Sequence, residues 1–125
     1  MSHPADLKYT KSHEFVKVLD GNKARIGLTF HAQQELGDIT YVELPEVGAE
    51  YSKGDTFATV ESVKAVSDVY MPVDGKIAEI NSSLDDTPEL INEDPYQKGW
   101  LVVIEMNDPS QLEGLLSKDD YEKLL

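Results

Sequence analysis

Lys64 is the residue in this chain best placed to do chemistry. It sits in Thr59-Val60-Glu61-Ser62-Val63-Lys64-Ala65-Val66-Ser67-Asp68, and no Gly or Pro occurs between Thr56 and Met71, although Gly54 and Pro72 punctuate the ends. Val60, Val63, Val66 and Val69 fall three apart, a spacing compatible with a helix. The segment is rich in β-branched residues, however, and these suit a pleated strand. The reading is therefore a hairpin: Phe57 to Val60 runs up, Ser62 to Ala65 turns, and Val66 to Met71 runs down. A long, flexible amine at such a tip can be acylated by another enzyme that uses the hairpin as its address. Schiff-base catalysis would need a desolvated pocket to lower the lysine pKa, and an exposed tip offers none.

The other reactive side chains are few. With no cysteine there is no thiolate, disulfide or cysteine-held metal. His3 belongs to the N-terminal tail, and His13 and His31 complete a set of three without metal-ligand spacing, so no zinc site is expected.

Short strands with frequent turns must position the lysine. Leu7 to Asp20 alternates apolar and polar residues and ends in the Asp20-Gly21 turn signal, and Lys23 to Leu28 returns beside it. Thr29 is a suitable N-cap and Gly37 a suitable C′ residue for a helix over Phe30 to Leu36. Strands follow at Ile39 to Leu44, Lys76 to Ile80 and Trp100 to Met106, the last two separated by an irregular stretch from Asn81 to Pro95. Asp108-Pro109 opens one helix, and Ser117 with Asp120 opens a last one, from which Tyr121, Leu124 and Leu125 dock on the body. The pattern is mainly β, a small sandwich or barrel with short helices over about 109–125.

The 125 residues fit one domain, 1–125. Eleven Lys and Arg against 24 Asp and Glu give a net charge of −13, with Arg25 the single arginine. That balance argues against nucleic-acid or anionic-membrane binding and favours partners with basic surfaces. The start Met-Ser-His-Pro carries no apolar signal core or Arg-rich presequence, so a bacterial cytoplasm is expected.

Glu61-Ser62-Val63-Lys64-Ala65 resembles the lipoylation motif of the glycine cleavage H-protein family. The likeness continues in order through Ser12 to Phe15, Ala32 to Ile39, Tyr41 to Gly48, Lys53-Gly54 and Ile91 to Leu101. Phe15 and Phe30 depart from the Trp and Asp that the family often carries there. The resemblance implies a barrel-sandwich hybrid of the biotinyl/lipoyl-carrier type, with lipoate amide-linked to Lys64 and with Glu61 read by the lipoylating enzymes. It implies a non-catalytic, monomeric carrier. Such a carrier takes an aminomethyl group from the pyridoxal-phosphate glycine decarboxylase to the tetrahydrofolate-dependent aminomethyltransferase. Dihydrolipoamide dehydrogenase then restores the disulfide, which is strained because a five-membered ring cannot reach a dihedral near 90°.

Ser12, His13 and Glu14, with Asp68 beyond the hairpin, form the expected cleft for the loaded arm, a carboxylate there facing the ammonium group. Tyr96, Gly99 and Trp100 are expected to be architectural. Among alternatives, a biotin carrier usually flanks its lysine with Met, where this chain has Val63 and Ala65. A 2-oxoacid dehydrogenase lipoyl domain normally sits among linkers and further domains. Relay of lipoyl groups to other carriers remains open at this level.

Overall fold

The computed structural model describes residues 4–125, so His3 lies outside the described residues. Two antiparallel sheets face one another. Six strands run in the order β1 (Lys8–Tyr9), β2 (Glu14–Val18), β3 (Lys23–Leu28), β9 (Val102–Met106), β8 (Gly75–Ile80) and β5 (Glu50–Tyr51). The second sheet places β6 (Thr56–Ser62) between β4 (Ile39–Glu43) and β7 (Val66–Tyr70). Period-two alternation turns Val16, Ile26, Ile77 and Ile104 of the first sheet toward Val42, Val60 and Val69 of the second, and all are buried in one core.

A smaller core lies on the outer face of the large sheet. Phe15, between the inward-facing Glu14 and Val16, points the other way and meets Tyr96 edge-on at 5.2 Å between ring centroids. The space for its ring comes from its cross-strand partner Gly27, since a Cβ there would stand 2.5 Å from the Phe15 ring. Tyr9 stacks on Tyr121 at 4.8 Å, and Leu7 completes this second cluster with Phe30, Trp100 and Leu116 packed against it. Tyr96 and Trp100 are therefore part of the framework.

Helix α1 spans Phe30–Leu36 with the caps the sequence predicts. Thr29 Oγ1 accepts from the Ala32 amide, and Gly37, at φ 77°, donates its N–H to Gln33 O. No acidic residue stands in its first turn; instead the Phe30 amide donates to the Tyr96 hydroxyl at 2.9 Å.

Four expectations need correction. The strand predicted from Leu7 to Asp20 is broken at Thr10–His13 by a tight turn, in which His13 takes the left-handed φ of 73°. The stretch from Asn81 to Pro95 contains two single-turn helices, α2 (Ser83–Asp86) and α3 (Leu90–Glu93), each anchored by one buried residue, Leu84 and Ile91. Four residues are too few to show a helical period. The segment after Asp108 is a 3₁₀ helix, Pro109–Gly114, before α4 (Lys118–Glu122). Of the three residues expected to dock from α4, only Tyr121 is buried; Leu124 and Leu125 are 52% and 49% exposed.

Among the described residues no helix is long and apolar enough to cross a membrane, and no group of three or more His, Asp or Glu could hold a metal. The Phe15–Gly27 fit gives a direct test: Gly27→Ala should lower unfolding free energy by about 1–3 kcal/mol. An unchanged urea midpoint would show that the Phe15 ring is free to move aside.

Candidate functional site

The lysine hairpin is built with a two-residue loop, Val63-Lys64. Primed turns, the usual two-residue hairpin connection, need positive φ, and neither Val63 nor Lys64 adopts it. A side chain closes the turn instead. Ser62 Oγ accepts from the amides of Lys64 and Ala65 at 3.3 and 3.1 Å, while the Ser62 amide donates to Ala65 O at 2.8 Å. Val63 and Lys64 are exposed, and Lys64 makes no ion pair among the described residues. Glu61 is exposed on the outer face of its sheet, in register with Tyr41 on one side and Val66 on the other.

A second polar group lies at the buried end of the β1–β2 turn. Glu14 is 1% exposed. Its Oε1 accepts from the hydroxyls of Thr10 at 2.5 Å and Ser12 at 2.6 Å, and its Oε2 from the Tyr70 amide at 3.2 Å. Three donors aimed at one carboxyl suit the ionised form, which only accepts. Burial works against that form, and it prevails: the Glu14 carboxyl stays above its ordinary value of 4.5, with the hydrogen bonds from Ser12, Thr10 and Tyr70 pulling it part of the way back.

Glu14 forms part of the wall of a cavity of about 430 Å³. Met71, Pro72, Leu115 and Leu116 supply apolar lining, and Lys11 and Lys53 add two amines. Such a site can hold an apolar chain and face a cationic end with a carboxylate.

The four residues predicted to form one cleft separate into two groups. Ser12 and Glu14 line the cavity together. His13 and Asp68 are not among its lining residues. The His13 ring sits 2.7 Å from the Tyr121 hydroxyl and 4.7 Å, between centroids, from the His31 ring, so it joins the turn to α4 and α1. The Tyr121 hydroxyl also bonds Thr29 Oγ1 at 2.8 Å; its burial, opposed by that bond, and the nearby Glu14 charge hold the phenol above its ordinary value. Asp68 is exposed on β7, opposite Thr59. Thr10 and Tyr70, absent from the sequence reading, complete the Glu14 site. Thr10 could have been found from its place four residues before Glu14 across a turn, but a backbone amide such as that of Tyr70 leaves no trace in residue type.

Two facing sheets with an exposed lysine at a hairpin tip define the class: a barrel-sandwich carrier of the lipoyl type. The solved H protein of the glycine cleavage system from Mycobacterium marinum superimposes with a TM-score of 0.86 at 36% identity, covering 96% of each chain. Curated H proteins of that system match along nearly the whole length. That of Staphylococcus haemolyticus is 55% identical over 125 residues, covering 100% of this chain and 98% of the relative. That of Bacillus subtilis is 53% identical over 124 residues, covering 99% and 97%. The family model described as glycine cleavage H-protein matches residues 7–125. The chain belongs to the glycine cleavage H-protein family.

The raised Glu14 carboxyl fixes the sign of a pH effect. Between 4.5 and the higher folded-state value, the native state binds more protons than the unfolded chain. Its contribution to stability is therefore fully present below 4.5 and is lost as pH rises through the folded-state value. Denaturation across this range should show the wild type losing stability relative to Glu14→Gln as pH rises, then levelling. A wild type that gains on the variant over the same range would mean a depressed carboxyl instead.

Proposed function

We propose that Lys64 is the residue through which this chain serves as the lipoyl-bearing carrier of the glycine cleavage system. The observation that carries the assignment is its position: an exposed amine without an ion-pair partner among the described residues, on a loop whose backbone is held by Ser62. A ligase can reach that amine without unfolding anything. The cavity fits the same group, with apolar walls for an alkyl chain and one buried carboxylate for a positive end. Amide-linked to Lys64, lipoate would supply a dithiolane whose disulfide can be opened reductively to take up an aminomethyl group on sulfur.

The protein's own residues hold and shield. Met71, Pro72, Leu115 and Leu116 keep water from one side of the cavity, and Ser12 and Thr10 orient Glu14 so that its charge faces an ammonium group. Glu61, on the exposed face three residues before the lysine, is read by the lipoylating enzymes. The chain catalyses nothing by itself. It works as a monomeric single domain, 1–125, in a bacterial cytoplasm. Its partners are the pyridoxal-phosphate glycine decarboxylase, the tetrahydrofolate-dependent aminomethyltransferase and dihydrolipoamide dehydrogenase. A net charge of −13 supports encounters with basic partner surfaces.

Intact mass after expression with lipoate should show one lipoyl-sized addition in the wild type and none in Lys64→Ala. A biotin-sized addition would move the chain to the carboxylase carriers. Glu14→Ala should speed ammonia loss from the charged carrier by about tenfold, the effect of removing one charge-assisted hydrogen bond; an unaltered rate would take Glu14 out of this role.

A further inference from the structure

The lysine tip rests on a segment that is itself clamped from behind. Val63 N–H donates to Asp38 O at 3.1 Å, and the Lys64 side chain crosses Gly37 so closely that a Cβ added there would stand 3.4 Å from Lys64 Cε. Asp38 lies between α1 and β4, where chain direction reverses and no regular ladder holds the backbone. Both of its neighbours are held by one side chain, Asn92 of α3. Asn92 Oδ1 accepts from the Ile39 amide at 2.9 Å, and its Nδ2 donates to Gly37 O at 2.8 Å and to Gln33 Oε1 at 3.0 Å. Gln33, 8% exposed, is fixed in turn by donating to Phe30 O at 3.0 Å.

We propose that Asn92 is a positioning residue for acylation of Lys64: by bracketing Asp38 it sets where the hairpin tip stands and how its amine is presented. The inference rests on Lys64 being the attachment residue. An amide side chain suits this work, because its oxygen accepts from the Ile39 N–H while its two N–H donors serve Gly37 O and Gln33 Oε1 at once. Aspartate keeps the acceptor and places a second one against Gly37 O and Gln33; alanine removes both. Neither change alters the exposed side chains of Glu61, Val63 or Val66, which an acylating enzyme meets first. Encounter with that enzyme is therefore kept, and the orientation of the amine at its acyl donor is what is lost.

The test uses the full chain with a purified lipoate ligase, ATP and lipoate, comparing wild type, Asn92→Ala and Asn92→Asp. Val73→Ala, a cavity in the buried core away from the tip, serves as a control for lost stability. Expected for both Asn92 variants is a kcat about tenfold lower with KM for the protein acceptor within about twofold. The amide of Val63 should also exchange with solvent about tenfold faster, and reaction of Lys64 with a small N-hydroxysuccinimide ester should be unchanged. Kinetics and Val63 exchange like the wild type would overturn the proposal. So would an equal kcat loss in Val73→Ala. If the wild type is not acylated at Lys64, the attachment reading fails, and Val63 exchange alone decides whether Asn92 holds the tip.

Discussion

A buried carboxylate bridges the two sheets. Glu14 lies on β2 of the large sheet, and its Oε2 takes the Tyr70 amide of β7 in the small one, while Oε1 draws in Thr10 and Ser12. A charge placed there without those donors would cost several kcal/mol. With them, it fixes the β1–β2 turn, the relation of β2 to β7 and one wall of the cavity together. The turn carries the expense in its backbone: His13 adopts a left-handed φ that a glycine would take freely. Its ring, bonded to Tyr121 and set against His31, keeps it there.

The same device appears twice. Neither the turn before Glu14 nor the one at Lys64 contains glycine, and in each a hydroxyl two to four residues away takes a loop amide: Thr10 Oγ1 for Glu14, Ser62 Oγ for Lys64 and Ala65. Side-chain hydrogen bonds of this kind replace conformational freedom with a specific partner. They leave both loops free of the flexibility that glycine brings.

Where the chemistry is local, the sequence was readable. Thr29 and Gly37 bound α1 because capping depends on residues within one turn, and the β6–β7 hairpin followed from β-branched runs on either side of Ser62 to Ala65. What failed depended on distant partners. The left-handed His13 is held by Tyr121 at the far end of the chain, so nothing in Lys11-Ser12-His13 announces a turn. Leu124 and Leu125 read as docking residues, yet of the three only Tyr121, stacked on Tyr9, is buried, and both leucines are about half exposed. The candidate site was half legible. Ser12 and Glu14 meet in the cavity, whereas Asp68 lies exposed on β7 outside its lining and the turn aims His13 at α4.

The cavity is assembled from remote parts of the chain. Its walls come from Tyr9 to Ser12 with Glu14, from Lys53 and Gly54, from Tyr70 to Pro72, and from Gly114 to Leu116, the last joined to β1 by paired backbone bonds between Tyr9 and Leu116. During synthesis, the lysine hairpin exists in full once Tyr70 has been added, whereas the cavity has no final wall until Leu116 follows. The large sheet, too, needs β9 to join β3 to β8. The growing polypeptide therefore completes its lysine hairpin well before it completes its cavity.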